Sequence, residues 1–200
     1  MKNNRFPPDY FGHSNKFLGL VEAIINQMIV SGNKVFRTVA LEPNETRNER
    51  HKKAAQWDDL NIAIPTLFNF YHGIELTLKG MLSSIEALTN QCKQTHDLNF
   101  ILKELKCKSK VDPEFSNFIK KYTGIENQFK PLFNSNQITG NQFYDIFKYP
   151  ENKKGKQFNY NPITQQEELS LLMFKEVIDD ISLFDSLRTK WWQNNQDHIL

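Results

Sequence analysis

Between Leu60 and Leu88 the apolar residues Leu60, Ile64, Leu67, Tyr71, Ile74, Leu78, Met81, Ile85 and Leu88 recur in steps that alternate between four and three. An α-helix advances one turn in about 3.6 residues, so this spacing lays all nine side chains along one stripe. A helix carrying such a stripe has to bury it against other helices, and the chain must supply them. Pro65 interrupts the pattern by removing a backbone donor and disfavouring helical geometry at Ile64. The stripe keeps its phase across the proline, which predicts a kink within one continuous helix. A separate helix starting near Pro65 is the competing arrangement.

The flanking segments read in the same way. Ser14 to Ser31 predicts a first helix, with Phe17, Val21, Ile24 and Met28 on one face, broadened by Leu18, Leu20, Ile25 and Ile29. Ser14 is its expected N-cap and Gly32-Asn33 its stop. Thr46 and Glu49 have capping-box spacing, so a helix is expected to begin there and run on toward Asp59 and the ladder. Asn90 to Gln94 reads as a break. Thr95 or Asp97 then opens a helix through Phe100, Ile101 and Leu105 that ends in Lys106, Lys108 and Lys110, with acid at the start and base at the end as the helix dipole favours. Asp112-Pro113 is a cap followed by proline at the first helical position. Its helix carries Phe115, Phe118, Ile119 and Tyr122 and is expected to end by Pro131. A second capping box, Thr164 and Glu167, opens a last helix to about Trp192, with Leu171, Phe174, Val177, Ile178, Ile181 and Phe184 on its apolar face. No segment alternates with period two for long enough to argue a strand. The expectation is an all-α fold, an antiparallel bundle of four to six helices. Residues 1–45 would form an arm and first helix, and residues 46–200 the bundle. A connection at about 135–163 is long enough to expect function or mobility there.

Composition narrows the functional classes. The chain is 39% hydrophobic and 12% aromatic, mostly Phe, which suffices for a packed core. A formal net charge of +2 excludes a globally basic nucleic-acid binder and leaves room for a local patch. No apolar run reaches membrane-spanning length, so no membrane association is expected. Residues 1–11 are polar, contain Pro7 and Pro8, and lack the apolar segment of a signal peptide. With Cys92 and Cys107 the only cysteines, the expected setting is cytoplasmic with reduced thiols.

Three motifs in order carry a resemblance. Gly73-Ile74-Glu75-Leu76-Thr77-Leu78-Lys79-Gly80 lies on the long helix, Thr95-His96-Asp97-Leu98 opens a leucine-rich helix, and Phe147-Lys148-Tyr149-Pro150-Glu151 precedes the last helix. This order resembles the HEPN superfamily (higher eukaryotes and prokaryotes nucleotide-binding), over roughly Asp58 to Trp192. The family's E-x-x-L-K-like segment falls on Glu75, Leu78 and Lys79, its G-H-D-L helix start on His96, Asp97 and Leu98, and its R-Y-P loop on Lys148, Tyr149 and Pro150. The resemblance implies a small helical bundle, often a homodimer, tied to RNA cleavage, nucleotide binding or host defence, in toxin–antitoxin settings among others. Catalytic members carry an Arg followed a few residues later by a His. That spacing is absent here: Arg47 and His51 are too close, and the loop position usually held by Arg is Lys148, which lacks the planar bidentate grip on phosphate. The expected function is therefore a non-catalytic domain that binds RNA, a nucleotide or a cognate protein through the Lys148 loop and the Glu75/Lys79 face. The alternatives are a metal-independent ribonuclease with an unconventional set (His51 or His96 as base, Arg47 or Lys148 on the phosphorane) and a structural dimerisation module using Trp191 and Trp192.

Each candidate site competes with a plainer account. Glu75 stands in a row with Phe68 and Leu82, where a carboxylate should be partly desolvated and its pKa raised; the plainer account is a helical ion pair with Lys79. His96-Asp97 is a candidate proton-transfer pair, against a helix start in which Thr95 caps and Asp97 favours the dipole. Arg47, Arg50 and His51 with Lys52 and Lys53 form a basic cluster at a helix start, but interleaved glutamates make a solvated face the plainer account. Lys148, Lys153, Lys154 and Lys156 with Tyr149, Phe158 and Tyr160 are the best nucleic-acid candidate, lysines for phosphate and aromatics for bases; the plainer account folds those aromatics back onto the bundle. Cys92, His96 and Cys107 have no recognised zinc spacing, so no metal is expected, and no phosphate-binding glycine loop or other cofactor motif is present.

Overall fold

The computed structural model describes residues 9–32, 56–124, 128–164 and 168–198. Over these residues the fold is all-α, with eight α-helices, no strand, and one isolated bridge between Glu151 and Gln157. The helices are α1 (Tyr10–Ser31), α2 (Asp59–Ser84), α3 (Asn90–Gln94), α4 (Leu98–Lys108), α5 (Pro113–Thr123), α6 (Lys130–Asn136), α7 (Phe143–Lys148) and α8 (Glu168–Asn194). The capping box at Thr46 and Glu49 lies outside the described residues. Among the described residues no helix is long and apolar enough to cross a membrane.

The central element is α2. Asp58 caps it, its Oδ1 accepting the Asn61 backbone N–H at 3.0 Å. The helix runs unbroken through Pro65. The proline is exposed, so the carbonyl that loses its intrahelical donor lies on the water-facing side. The ladder holds from Leu67 to Met81, all fully buried. It fails at its ends. Leu60 is 50% exposed because Asp59 faces inward instead, its Oδ2 accepting the Ser170 hydroxyl of α8 at 2.6 Å. Ile85 and Leu88 lie beyond the helix, which stops at Ser84.

Burial along the middle of α2 is far wider than one stripe and takes in Gly73, Glu75, Thr77, Lys79 and Gly80. The small residues explain part of this. Ser14 of α1 donates its hydroxyl to the Gly73 carbonyl at 2.8 Å and shares a 2.7 Å hydrogen bond with Thr77. Leu18 packs on Gly73 and Phe11 on Gly80. These pairings run in opposite chain directions, so α1 and α2 are antiparallel. The N-cap of α1 is Asp9, which accepts from Gly12 at 2.7 Å, and Ser14 is a buried packing residue instead of the expected cap. Gly32 ends α1 in the left-handed conformation, as a C-terminal glycine does.

The other helices close around α2. Phe118 stacks on Phe184, and Lys121 reaches Glu176 and Asp180, which sets α5 antiparallel to α8. Asp112 caps α5 with Pro113 in its first turn, as expected. One expectation fails: Asn90 to Gln94 forms a short helix capped by Thr89. The helix opened by Asp112 ends at Thr123, before Pro131 as expected, and Pro131 then sits in the first turn of α6. The connection at 135–163 is largely built: it contains α7, and Asn136 exchanges two 2.8 Å hydrogen bonds with the Asn159 backbone.

Candidate functional site

The wide burial of α2 brings the first two motifs of the sequence together. Glu75 is 1% exposed and Lys79 4%. One turn of helix sets Lys79 Nζ 2.6 Å from Glu75 Oε1, and the same ammonium donates to the Lys93 carbonyl of α3 at 3.0 Å. His72, one turn before Glu75, brings Nδ1 to 3.3 Å from Oε2. His96, from the turn between α3 and α4, places Nδ1 3.0 and 3.1 Å from the two carboxylate oxygens. A single buried carboxylate thus collects three donors.

Burial alone pushes the Glu75 carboxyl up, which is the direction expected from the sequence. The hydrogen bonds from His72, Lys79 and His96 and the Lys79 charge overcome it and bring the pKa down to about 2. The expectation of a raised value is therefore corrected: desolvation is present and is outweighed. Because the folded value lies below the ordinary 4.5, this group contributes stability that is fully present above about pH 4.5 and is lost as pH falls toward 2. We expect a loss of about 3 kcal/mol over that window, read from urea midpoints between pH 5 and 2. The Glu75→Gln variant should show a visibly shallower acid limb.

An ionised carboxylate only accepts, so the ring nitrogens facing it carry hydrogen. The geometry therefore assigns Nδ1–H to both His72 and His96. His72 is held between Phe17, edge-on, and Phe68, stacked. His96 lies flat on Tyr144 of α7, ring centroids 3.5 Å apart and planes 10° from parallel. Its side chain is 35% exposed. The Tyr144 hydroxyl in turn accepts from Lys148, whose ammonium also sits 4.3 Å from the Tyr144 ring centre. That hydroxyl holds the Lys148 pKa above its usual value. The third motif thus meets the first two through Tyr144, a residue that sequence reasoning did not single out. The spacing of four between Tyr144 and Lys148 within a short apolar segment was its signal.

Beyond Tyr144 opens a cleft of about 1010 Å³, lined by Tyr144, Tyr149, Lys153, Lys154, Lys156 and Phe158 together with the acids Asp145 and Glu151. A small turn presents the lysines. Asn152 Oδ1 accepts from the backbone of Lys154 and Lys156, and Gly155 takes the positive φ of 76° that the turn requires. Tyr149 is 47% exposed, whereas Tyr160 folds back and donates to the Ile146 and Tyr149 carbonyls.

The structure separates several residues that sequence reasoning joined. Asp97 does not pair with His96: it is the N-cap of α4 and accepts from Phe100 at 2.8 Å. Glu75 and Lys79, expected on a binding face, are enclosed, and only His96 carries their influence outward. Arg47 and His51 lie outside the described residues. Trp191 is buried with its N–H on Ser109, which leaves only Trp192 exposed at that helix end. Cys92 is buried and Cys107 exposed, and among the described residues no trio of His, Cys, Asp or Glu converges to hold a metal ion. No family model, curated protein or solved structure matches the chain.

Proposed function

We propose that this chain is an HEPN-like helical domain that binds single-stranded RNA along the cleft beyond Tyr144, in a defence or toxin–antitoxin setting. The cleft itself carries this reading: three lysines and the exposed faces of aromatic side chains share one concave surface. Lysines meet backbone phosphate, and flat aromatic rings accept any unpaired base. The three motifs that resemble the superfamily support it, because contacts through Tyr144, which lines that cleft, link them. Arg188 is the one arginine among the described residues, and it is occupied with Asn15 and Asp185. The phosphate contacts are then point charges from lysine, which favours binding that tolerates sequence over the bidentate grip of a cleaving site.

The test incubates purified protein with short single-stranded oligoribonucleotides in EDTA and reads retention and cleavage together. Retention of intact strands is expected. The triple variant Lys153→Ala/Lys154→Ala/Lys156→Ala should bind at least about tenfold more weakly and flatten the slope of log affinity against log salt by about 2. Unchanged affinity in that variant removes the cleft as the site. Cleavage that survives EDTA replaces the binding reading with a nuclease.

A further inference from the structure

We infer that His96 is a specificity residue whose Nε2 accepts a hydrogen bond from the 2′-hydroxyl of a bound strand, so that this chain distinguishes ribose from deoxyribose; the inference rests on the RNA-binding reading above. Four observations lead there. The ionised Glu75 takes the Nδ1 hydrogen, so in the neutral ring Nε2 is an acceptor. Lys79 already compensates the Glu75 charge at 2.6 Å. The two ring nitrogens point in roughly opposite directions. With Nδ1 aimed at a buried oxygen, Nε2 is aimed outward, and it bonds to no described residue. Finally, the flat contact with Tyr144 holds the ring plane, so both the tautomer and the direction of this acceptor are set before any ligand arrives.

The position suits a sugar. Tyr144 is shared, with His96 on its ring and the cleft beyond it. A strand whose phosphates meet the lysines and whose base meets Tyr149 carries its neighbouring sugar across Tyr144 to His96. Lysines and stacked aromatics read neither sugar nor sequence. The carboxylates at the cleft, Asp145 and Glu151, are exposed and repel phosphate, and the side-chain oxygens of Asn136, Gln142 and Asn152 already accept backbone N–H groups. His96 is the preorganised acceptor, and the 2′-hydroxyl is the donor that DNA lacks.

The experiment measures fluorescence anisotropy with three labelled strands of one sequence: ribo, deoxyribo and 2′-fluoro, the last lacking the donor. The wild-type chain should bind the ribo strand about five- to tenfold more tightly than the other two, the weight of one hydrogen bond. His96→Phe, which keeps the stack on Tyr144, and His96→Ala should both bring the ribo strand down to the deoxyribo level and leave deoxyribo binding unchanged. Asp145→Asn should preserve the preference. Equal wild-type affinity for ribo and deoxyribo strands overturns the inference while leaving single-strand binding intact. A preference that survives both His96 variants also overturns it. Binding to none of the three strands removes the RNA-binding reading, and this inference with it.

Discussion

Gly140→Ala should destabilise the fold by about 3–5 kcal/mol, a far larger effect than a single methyl group ordinarily has. Gly140 is fully enclosed in a short 3-10 turn that closes over the C-terminal end of α5. A Cβ there would overlap the Tyr122 carbonyl oxygen and lie 3.2 Å from the Tyr71 hydroxyl. That carbonyl accepts the buried Tyr71 hydroxyl at 3.0 Å. Neither backbone yields easily: one belongs to the last turn of a helix, and the other is tied by Thr139 N–H to Gln142 Oε1 at 3.1 Å. The new methyl group therefore brings overpacking and leaves a buried hydroxyl without its acceptor, each costing about 1–3 kcal/mol. Urea midpoints give the answer. Gly19→Ala supplies the opposite sign, because Gly19 lies in α1 with nothing within 4 Å of its Cβ position and should gain about 0.5–1 kcal/mol. A Gly140→Ala loss under about 1 kcal/mol would mean that the α5–turn junction is loose.

The second large effect is expected at Lys79. Lys79→Ala removes the lysine ammonium from a carboxylate buried to 1% exposure, and unpairing a buried charge costs about 3–5 kcal/mol. His72 and His96 still donate to Glu75, which holds the loss toward the lower end. Replacing both partners with apolar groups of similar shape, Glu75→Leu with Lys79→Met, should recover most of it, because the desolvation of both charges disappears with them. A double-mutant cycle on urea midpoints separates the terms. A single-variant loss below about 1 kcal/mol, or a double variant no better than the single, would show that water reaches this pair in the folded chain.

Both sites show where local pattern stops informing. The caps at Asp97 and Asp112, the C-terminal glycine at Gly32 and the ladder from Leu67 to Met81 are legible because each depends on residues within one or two turns. Ser14 packs instead of capping, because serine serves equally as a small polar packing residue. Its hydroxyl meets Gly73 and Thr77 on another helix, a partner no local rule supplies. Leu60 turned outward for the same reason: the Asp59–Ser170 bond spans 111 residues.

The candidate site follows this division. Glu75, Lys79, His96 and Lys148 were identifiable from spacing and motif order, and the i to i+4 pairing of Glu75 with Lys79 is a property of any helix carrying them. What the chain alone determined is therefore the all-α class, the starts of α4 and α5, and the candidate residues of the site, since periodicity and capping act over a few residues. Tertiary structure decided how those residues are used. The packing of α1 over the small residues of α2 and the wall formed by residues 93–96 bury the ion pair. His72 and Lys79 from the same helix, joined by His96 across 21 residues, pull the carboxyl down instead of up, and α7 lays Tyr144 on the imidazole. Burial and the summed field of distant donors depend on every neighbour at once, so they are set only when the helices close on one another.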